Sequence, residues 1–418
     1  MTRDRITEDA QNLFDRGHQA FSAGEFQEAV DCFSRAIKLR PDVAAGYRFR
    51  AYAYLELGDR VSALNDLDQA IRLKPDDVQA HADRAAELFA QKSYDLAIAD
   101  CDRVLKQDSG RAPIYGLRGR CHAERGDTES ALRDFASAIE GDPENAPRYL
   151  LWRAQLRLEC EDYATARADC DEAIRLDPEN AEAYHLHGMI DQQDEDVDSA
   201  IASFSEALRL DPMHSWARLG RAICHLEHQN LPAAIADCDR VILELPTVTR
   251  SYDVRGTARR ALGDLEGALA DFNESVRLAP QSVMAYNFRA GVHYARGEYA
   301  AAIRDHMEAL KRDPRQAGTF NQLAWIWSTA PELEIRNGER ARECATRACE
   351  LSEWSEPGYL DTLAAACAEC GEFDDAMKWQ RKAMDQVSDP HRLTDFQSRL
   401  DLYASGKPAR VDGRITAQ

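Results

Sequence analysis

Apolar and polar positions repeat along this chain with a period of 34 residues, and each period closes in the same way. Segments such as AIKLRP, AIRLKP and ALRLDP end successive periods with a helical pattern that is followed by proline. Proline lacks a backbone N–H and cannot continue a helix, so it marks the end of each period. These prolines lie 34 or 35 residues apart, or twice 34 where Ser109 takes the expected place: Pro41, Pro75, Pro143, Pro178, Pro212, Pro246, Pro280 and Pro314.

Small residues recur inside each period and predict two packed helices. A glycine or alanine early in the period lets two helix backbones approach to about 8–10 Å. A turn of glycine with an acidic residue follows, as in AGEF, LGDR and RGEY. Beyond the turn, alanine and a residue four positions later lie on one helical face. This alanine stands twelve residues before the proline position, at Ala29, Ala63, Ala97, Ala131, Ala166, Ala200, Ala234, Ala268 and Ala302.

This pattern resembles the tetratricopeptide repeat (TPR) family, whose period of 34 residues has small, aromatic, alanine and proline positions in the same order. The resemblance covers residues 10–316 as nine repeats, after an N-terminal lead-in of residues 1–9. The departures are Leu13 and Arg218, which stand where an aromatic residue usually opens the first helix, and a third repeat without its proline. The resemblance implies an all-α fold, a right-handed α-solenoid whose concave surface binds a peptide or a partner's helix.

Two divergent repeats extend the array over residues 317–389, which gives about eleven in total. The first, beginning AGTFNQLAW, carries an insertion around Pro331 that we place at residues 329–337. The second contains LDTLAAA, and the pair resembles the end of many bacterial TPR proteins. A capping helix over residues 390–405 and a disordered polar tail over residues 406–418 are expected to follow.

Most first helices carry an arginine that is followed sixteen residues later by an aspartate. The sixth repeat has His187 and Ser203 at these positions, so both change together, and the first repeat has Arg16 with its acid shifted to Asp31. Guanidinium and carboxylate fit as a two-pronged pair, which predicts structural ion pairs between helices, within or between repeats. The predicted pairs are Arg50–Asp66, Arg84–Asp100, Arg118–Asp134, Arg153–Asp169, Arg221–Asp237, Arg255–Asp271 and Arg289–Asp305.

The resemblance also implies which residues line the concave groove. Aromatic and arginine side chains suit recognition, although some of them could instead pack between repeats. A lysine and asparagine clamp that binds chaperone tails in one TPR subclass is absent, since Phe14, His18 and Phe49 occupy its positions. Arg48, Arg120 and Arg260 could still hold acidic side chains. The groove residues carried over by register are Phe14, Arg48, Tyr52, Phe89, Arg120, Leu151, His185, Met189, Trp216, Ile223, Arg260, Asn287, Tyr294 and Trp325.

Charge and hydropathy narrow the functional classes. The net charge of −21 disfavours an RNA-binding helical repeat, because a phosphate backbone would be repelled, and it favours a basic or apolar partner surface. No run of eighteen apolar residues and no signal segment occur, so we expect a cytoplasmic protein that is not inserted in a membrane. The eleven cysteines are expected to be reduced thiols.

Cysteines and histidines provide the candidate chemistry. Cys367 and Cys370 have a redox spacing, but they fall at the end of a first helix, where the helix dipole does not stabilise a thiolate. Packing is therefore the favoured interpretation, with Cys344 and Cys349 leaving a zinc site as an alternative.

A second alternative metal site is formed by His225 and His228, which share a helical face beside Cys224. The sequence has no P-loop, GxSxG or HExxH motif. We therefore predict a noncatalytic scaffold or adaptor that binds a protein or peptide, needs no cofactor and has no small-molecule substrate, with a metal or redox protein as the alternative.

Overall fold

The structure, a computed structural model, describes residues 3–411, and the side chains of residues 5–411. All regular structure in this range is α-helical, which confirms the predicted all-α repeat fold. The chain divides into two compact bodies, Met1–Asp196 and Val197–Gln418, and the division falls inside the sixth repeat.

From residue 3 onwards, where the structure describes it, the first body contains eleven helices, which form five antiparallel pairs and the first helix of the sixth repeat. Neighbouring first helices also contact each other, as α5 does with α7 and α7 with α9. The helices are α1 (Arg3–Ser22), α2 (Phe26–Leu39), α3 (Ala44–Glu56), α4 (Arg60–Leu73), α5 (Val78–Ala90), α6 (Tyr94–Gln107), α7 (Ala112–Glu124), α8 (Thr128–Gly141), α9 (Ala146–Glu159), α10 (Tyr163–Leu176) and α11 (Ala181–Gln193).

The second body begins with the second helix of the sixth repeat and continues through five helix pairs to a single last helix. First helices are again neighbours, as α15 is of α17 and α19 of α21. The helices are α12 (Val197–Leu210), α13 (Ser215–Glu227), α14 (Leu231–Glu244), α15 (Thr249–Ala261), α16 (Leu265–Leu278), α17 (Val283–Ala295), α18 (Tyr299–Arg312), α19 (Ala317–Thr329), α20 (Gly338–Leu351), α21 (Pro357–Glu369), α22 (Phe373–Met384) and α23 (Pro390–Ala404).

The small position of each first helix faces a large side chain sixteen residues later on the second helix. A Cβ built on Gly119 would lie 2.8 Å from the ring of Phe135, and Gly17 and Gly256 lie comparably close to phenylalanine rings. Glycine stands at this position where the partner is phenylalanine, and alanine where the partner is smaller, as in Ala85 with Cys101. The two positions therefore share one fixed volume between the helices.

The turn inside each repeat follows from its glycine and aspartate. Gly126 has a φ of 77°, a conformation that costs an L-residue energy, and Asp127 then caps α8 by accepting a hydrogen bond from the Ser130 backbone N–H at 3.2 Å. Lys92 and Gln229 hold the glycine position in other repeats with φ values of 60° and 58°. These turns keep the same backbone at the cost of local strain.

In several repeats, the bulky residue that opens the first helix binds the end of the preceding repeat. Tyr252 donates its hydroxyl to the backbone carbonyl of Pro246 at 3.1 Å, and the ring of the buried His81 contacts the carbonyl of Pro75 at 2.9 Å. Arg218, a departure from the pattern, makes the equivalent bond to the carbonyl of Pro212. A polar tip at the end of a bulky side chain is thus what these three positions share.

The predicted segment boundaries can be compared with the described helices. Helix α1 begins at Arg3, so most of the expected lead-in, residues 1–9, is part of the first helix. The insertion corresponds to residues 330–337 between α19 and α20, and the expected capping helix, residues 390–405, corresponds to α23.

The expected disordered tail differs from the structure where the structure describes it. Ala409 is buried, the Val411 backbone N–H donates to the carbonyl of Thr329 at 3.0 Å, and Arg410 pairs with Glu369 at 2.7 Å. A buried apolar side chain, an ion pair and a backbone hydrogen bond therefore hold residues 406–411 on the last repeats. Residues 412–418 lie outside the described residues.

Candidate partner-binding surface

The arginine and aspartate positions come together between the two helices of one repeat. In the second repeat, Arg50 on α3 donates to Asp66 on α4 through Nε and Nη2, each at 2.7 Å. All seven predicted pairs have this two-pronged geometry, with donor–acceptor distances between 2.6 and 3.2 Å. The seven aspartates are buried: Asp66, Asp100, Asp134, Asp169, Asp237, Asp271 and Asp305.

Six of these seven arginines also reach the preceding repeat, a contact that the sequence prediction missed, and within the described residues Arg153 is the exception. Arg118 donates through Nη1 to Asp102 at 2.5 Å, and hydrogen bonds to Asp134 and Asp102 raise the pKa of this guanidinium. The sequence contains a signal for this contact, because a residue with a hydroxyl, carboxylate or amide group stands sixteen residues before each of these arginines. The acceptors are Ser34, Asp68, Asp102, Ser205, Asp239 and Asn273.

The first and sixth repeats, which lack the arginine and aspartate spacing of the other repeats, keep part of this arrangement. His187 of the sixth repeat contacts Asp191 on its own helix at 3.0 Å and Asp171 of the preceding repeat at 3.3 Å. In the first repeat Arg16 pairs with Glu28 at 3.4 Å rather than with Asp31. Both members of that pair are exposed, so it adds little to stability.

On the first-helix surface of the first body, several predicted groove residues contact each other. Arg48 pairs with Asp77 at 3.4 Å, and the hydroxyl of Tyr52 donates to Asp83 at 2.5 Å, so both join α3 to α5. Leu151 is buried. Phe14 packs with its aromatic neighbours, and Met189 lines a cavity of about 280 Å³.

Arg120 is held by two aromatic rings on neighbouring first helices. Its guanidinium lies 4.3 Å from the centre of the Phe89 ring and 4.9 Å from that of Trp152, which is a double cation–π contact. A cavity of about 490 Å³ beside it also contains Glu124 and Glu159. His185, on α11, contacts Glu182 one turn earlier at 3.4 Å.

The second body presents the remaining predicted groove residues on α13, α15, α17 and α19. Trp216 is 56% exposed, whereas Ile223 packs among apolar neighbours. The indole N–H of Trp325 donates to the hydroxyl of Tyr294 at 3.1 Å. Arg260, Asn287 and Tyr294 line a cavity of about 750 Å³.

The candidate residues Cys344, Cys349 and Cys367 have the properties of packed side chains, whereas the side chain of His228 is 55% exposed. Burial raises the pKa of the Cys367 thiol to about 12 and that of Cys344 and Cys349 to about 11, so these thiols stay protonated near neutral pH. Across residues 5–411, neither these cysteines nor His225 and His228 belong to a group of three potential metal ligands. No described helix combines the length and apolarity that crossing a bilayer requires.

Comparison with protein families identifies the repeats. Models described as tetratricopeptide repeat match residues 14–64, 50–112, 186–247 and 254–317, and two further models with this description match residues 88–156 and 147–180. The chain belongs to the tetratricopeptide repeat family. This confirms the resemblance seen in the spacing of prolines and small residues.

Among curated proteins, this TPR chain is similar to parts of larger co-chaperones. It is 30% identical over 136 residues to Hsp70-Hsp90 organizing protein 3 of Arabidopsis thaliana, covering 31% of this chain and 24% of that protein. It is 35% identical over 92 residues to the tetratricopeptide repeat and J domain-containing co-chaperone DNJ1 of Cryptococcus neoformans, covering 21% of this chain and 18% of that protein. The matches thus span about a quarter or less of these relatives.

Solved structures show weaker similarity over most of the chain. Yeast Tom70 matches with a TM-score of 0.41 and 16% identity, covering 95% of this chain and 96% of that one. A chain of the APC/C hetero-tetramer Cut9-Hcn1 matches with a TM-score of 0.47 and 13% identity, covering 94% of this chain and 96% of that chain. These values say nothing about what this TPR chain binds.

Proposed function

We propose that this TPR chain is a noncatalytic adaptor that holds a segment of a partner protein against its first-helix surface. The observation that carries the proposal is the exposure of Trp216, a large aromatic side chain on α13, within a surface that also contains the cavity of Arg260. Aromatic and arginine side chains contribute much of the energy of protein interfaces, and an exposed tryptophan is the strongest such anchor.

The proposal assigns Cys344, Cys349 and Cys367 to packing and gives neither them nor His225 and His228 a role in holding a cofactor. Thiols whose pKa is raised by burial are poor nucleophiles and poor metal ligands near neutral pH, and this supports an adaptor over a redox or zinc protein. A cytoplasmic location remains part of the proposal. The partners of the Hsp70-Hsp90 organizing proteins are not carried over, because Phe14, His18 and Phe49 stand where chaperone-binding TPR proteins have clamp residues.

The test compares two matched double variants in affinity capture from native lysate. Trp216→Ala with Tyr294→Ala removes aromatic side chains from first helices, and Leu96→Ala with Leu243→Ala removes exposed apolar side chains from second helices. A protein captured by the wild type and the second variant, but not by the first, supports the proposal. Equal capture by all three would place binding elsewhere, provided that circular dichroism shows equal helicity.

A further inference from the structure

The largest cavity described above lies on the first-helix surface of the second body. Its volume, about 750 Å³, is within the range of sites that hold a peptide fragment or a small ligand. Helices α15, α17 and α19 supply most of its wall. The lining residues are Gln229, Thr257, Arg260, Ala261, Leu265, Asn287, Gly291, Tyr294, Ala295, His306, Gln316, Gly318, Thr319 and Gln322.

This lining has an unusual charge for this protein. The whole sequence has 73 acidic residues and a net charge of −21, yet none of the fourteen lining residues is an aspartate or glutamate. Arg260 is the one arginine or lysine among them. The lining therefore carries one formal positive charge and no negative one, in a strongly negative molecule.

His306 does not add a second charge near neutral pH. It is buried beside the cavity, and burial lowers the pKa of its imidazole to about 4. Its Nδ1 lies 3.0 Å from Oδ1 of Asn287, whose amide also donates to Thr319 at 2.9 Å. These contacts hold neutral polar groups in fixed positions along the wall.

Arg260 differs from the other two groove arginines in having no partner. Arg48 is paired with Asp77, and Arg120 lies between two aromatic rings beside Glu124 and Glu159. Within residues 5–411, the guanidinium of Arg260 has neither an ion pair nor a hydrogen bond, although the residue is half-buried. A guanidinium has five N–H donors, so this side chain has unused capacity for a bidentate acceptor.

We propose that this cavity receives a carboxylate from a partner's peptide segment, with the guanidinium of Arg260 as its anchor. The inference rests on the proposed adaptor function and adds the chemistry of the partner. One guanidinium balances the single charge of a carboxylate, whereas a phosphate monoester near pH 7 carries about −1.5 to −2 and would need further cations. The carboxylate belongs to an acidic side chain or to the C-terminus of the partner.

The test uses full-length protein and two libraries of random decapeptides, one with free C-termini and one with amidated C-termini. Selection on the wild type is expected to enrich an aspartate or glutamate at a fixed position in the amidated library if a side chain supplies the carboxylate. Enrichment confined to the free library indicates the peptide terminus. Selected peptides without an acidic group at a fixed position or a free C-terminus would overturn the proposal.

Variants then locate the contact. Arg260→Gln is expected to weaken binding of the selected peptide about tenfold or more, and replacing the peptide's carboxylate with an amide should cost little further on that variant. Arg250→Gln is the matched control, since it removes the same charge from the same helix outside the cavity lining. Equal weakening by both variants would indicate a long-range charge effect and overturn the anchor role.

A third variant moves Arg260 without changing the net charge. A Cβ on Gly291 would lie 2.8 Å from Nη1 of Arg260, and a flexible arginine is able to shift away from such a contact without unfolding the helix. Gly291→Ala is therefore expected to weaken the selected peptide while retaining helicity. Undiminished binding by both Gly291→Ala and Arg260→Gln would reject this site. If Trp216→Ala still weakened the peptide in that case, the adaptor proposal would stand with a different partner chemistry.

Discussion

Arg255 and Asp271 form a two-pronged ion pair between the two helices of one repeat, with Nη2 donating to Oδ1 at 2.6 Å and Nε to Oδ2 at 3.1 Å. The same guanidinium donates through Nη1 to Asp239 of the preceding repeat at 2.5 Å. One arginine thus links three helices, and its two acceptors differ in environment. The side chain of Asp271 is 3% exposed and that of Asp239 is 52% exposed.

This difference predicts unequal effects of two similar substitutions. Asp271→Ala removes the buried carboxylate that accepts from the half-buried Arg255 and Arg259, and it is expected to lower the free energy of unfolding by about 3–5 kcal/mol. Asp239→Ala removes an exposed partner of the same arginine and should cost about 1 kcal/mol or less. Urea denaturation measures both. Equal losses for the two variants would contradict the assignment of the stabilising contact to the buried carboxylate.

Because Gly119 and Phe135 share one volume, Gly119→Ala is predicted to change the free energy of unfolding in opposite directions in two sequence backgrounds. Gly119→Ala forces a methyl group against the Phe135 ring, so it should destabilise the protein by about 1–3 kcal/mol in spite of alanine's higher helix propensity. In a Phe135→Cys background, which reproduces the combination of Ala85 and Cys101, the same substitution should stabilise by up to about 1 kcal/mol. A double-mutant cycle in urea with no coupling between the two positions would refute this relationship.

The strained turns predict a stabilising substitution. Lys92 has a φ of 60° where other repeats have glycine, so Lys92→Gly should raise the melting temperature by relieving a backbone cost of about 1 kcal/mol. Gly126→Ala is the converse and should lower it, although the added Cβ would meet no atom within 4 Å. If neither variant shifts the melting temperature, the turn conformation contributes no measurable strain.

The buried His306 predicts acid sensitivity. Its pKa is about 4 in the folded protein against 6.5 ordinarily, so the unfolded chain binds a proton first as pH falls. Stability is therefore lost as pH falls from about 6.5 to 4, by about 2 kcal/mol at pH 5. His306→Leu, which with Ala290 reproduces the combination of Ala51 and Leu67, should lack this part of the loss between pH 7 and pH 5. Identical pH profiles for the variant and the wild type would contradict the assignment.

Much of the fold could be predicted from sequence because its determinants are local and repeated. Proline closes a helix wherever it stands, and an alanine buried in one repeat is buried in the next, as Ala63 and Ala97 are. The insertion at Pro331 and the last helix are also visible as breaks in the period. The docking of residues 406–411 could not be predicted, since it depends on Arg410 and Val411 meeting groups that lie about forty and eighty residues earlier in the chain.

The binding surface was less accessible to sequence analysis than the fold. The repeat register places Arg48, Arg120 and Arg260 on first helices, but it does not show which of these side chains contacts another residue of the folded chain. Only the packing of neighbouring helices shows Asp77 beside Arg48 and two rings around Arg120. Whether a polar side chain is available for a ligand is a tertiary property.

The adaptor account is tested most directly by the dissociation constant of the captured partner, measured by titration calorimetry against three proteins. The account predicts that Trp216→Ala with Tyr294→Ala weakens binding at least tenfold relative to the wild type, since buried aromatic anchors contribute about 2 kcal/mol or more each. It predicts an unchanged constant for Leu96→Ala with Leu243→Ala. A partner that binds both variants as tightly as the wild type would contradict binding at the first-helix surface.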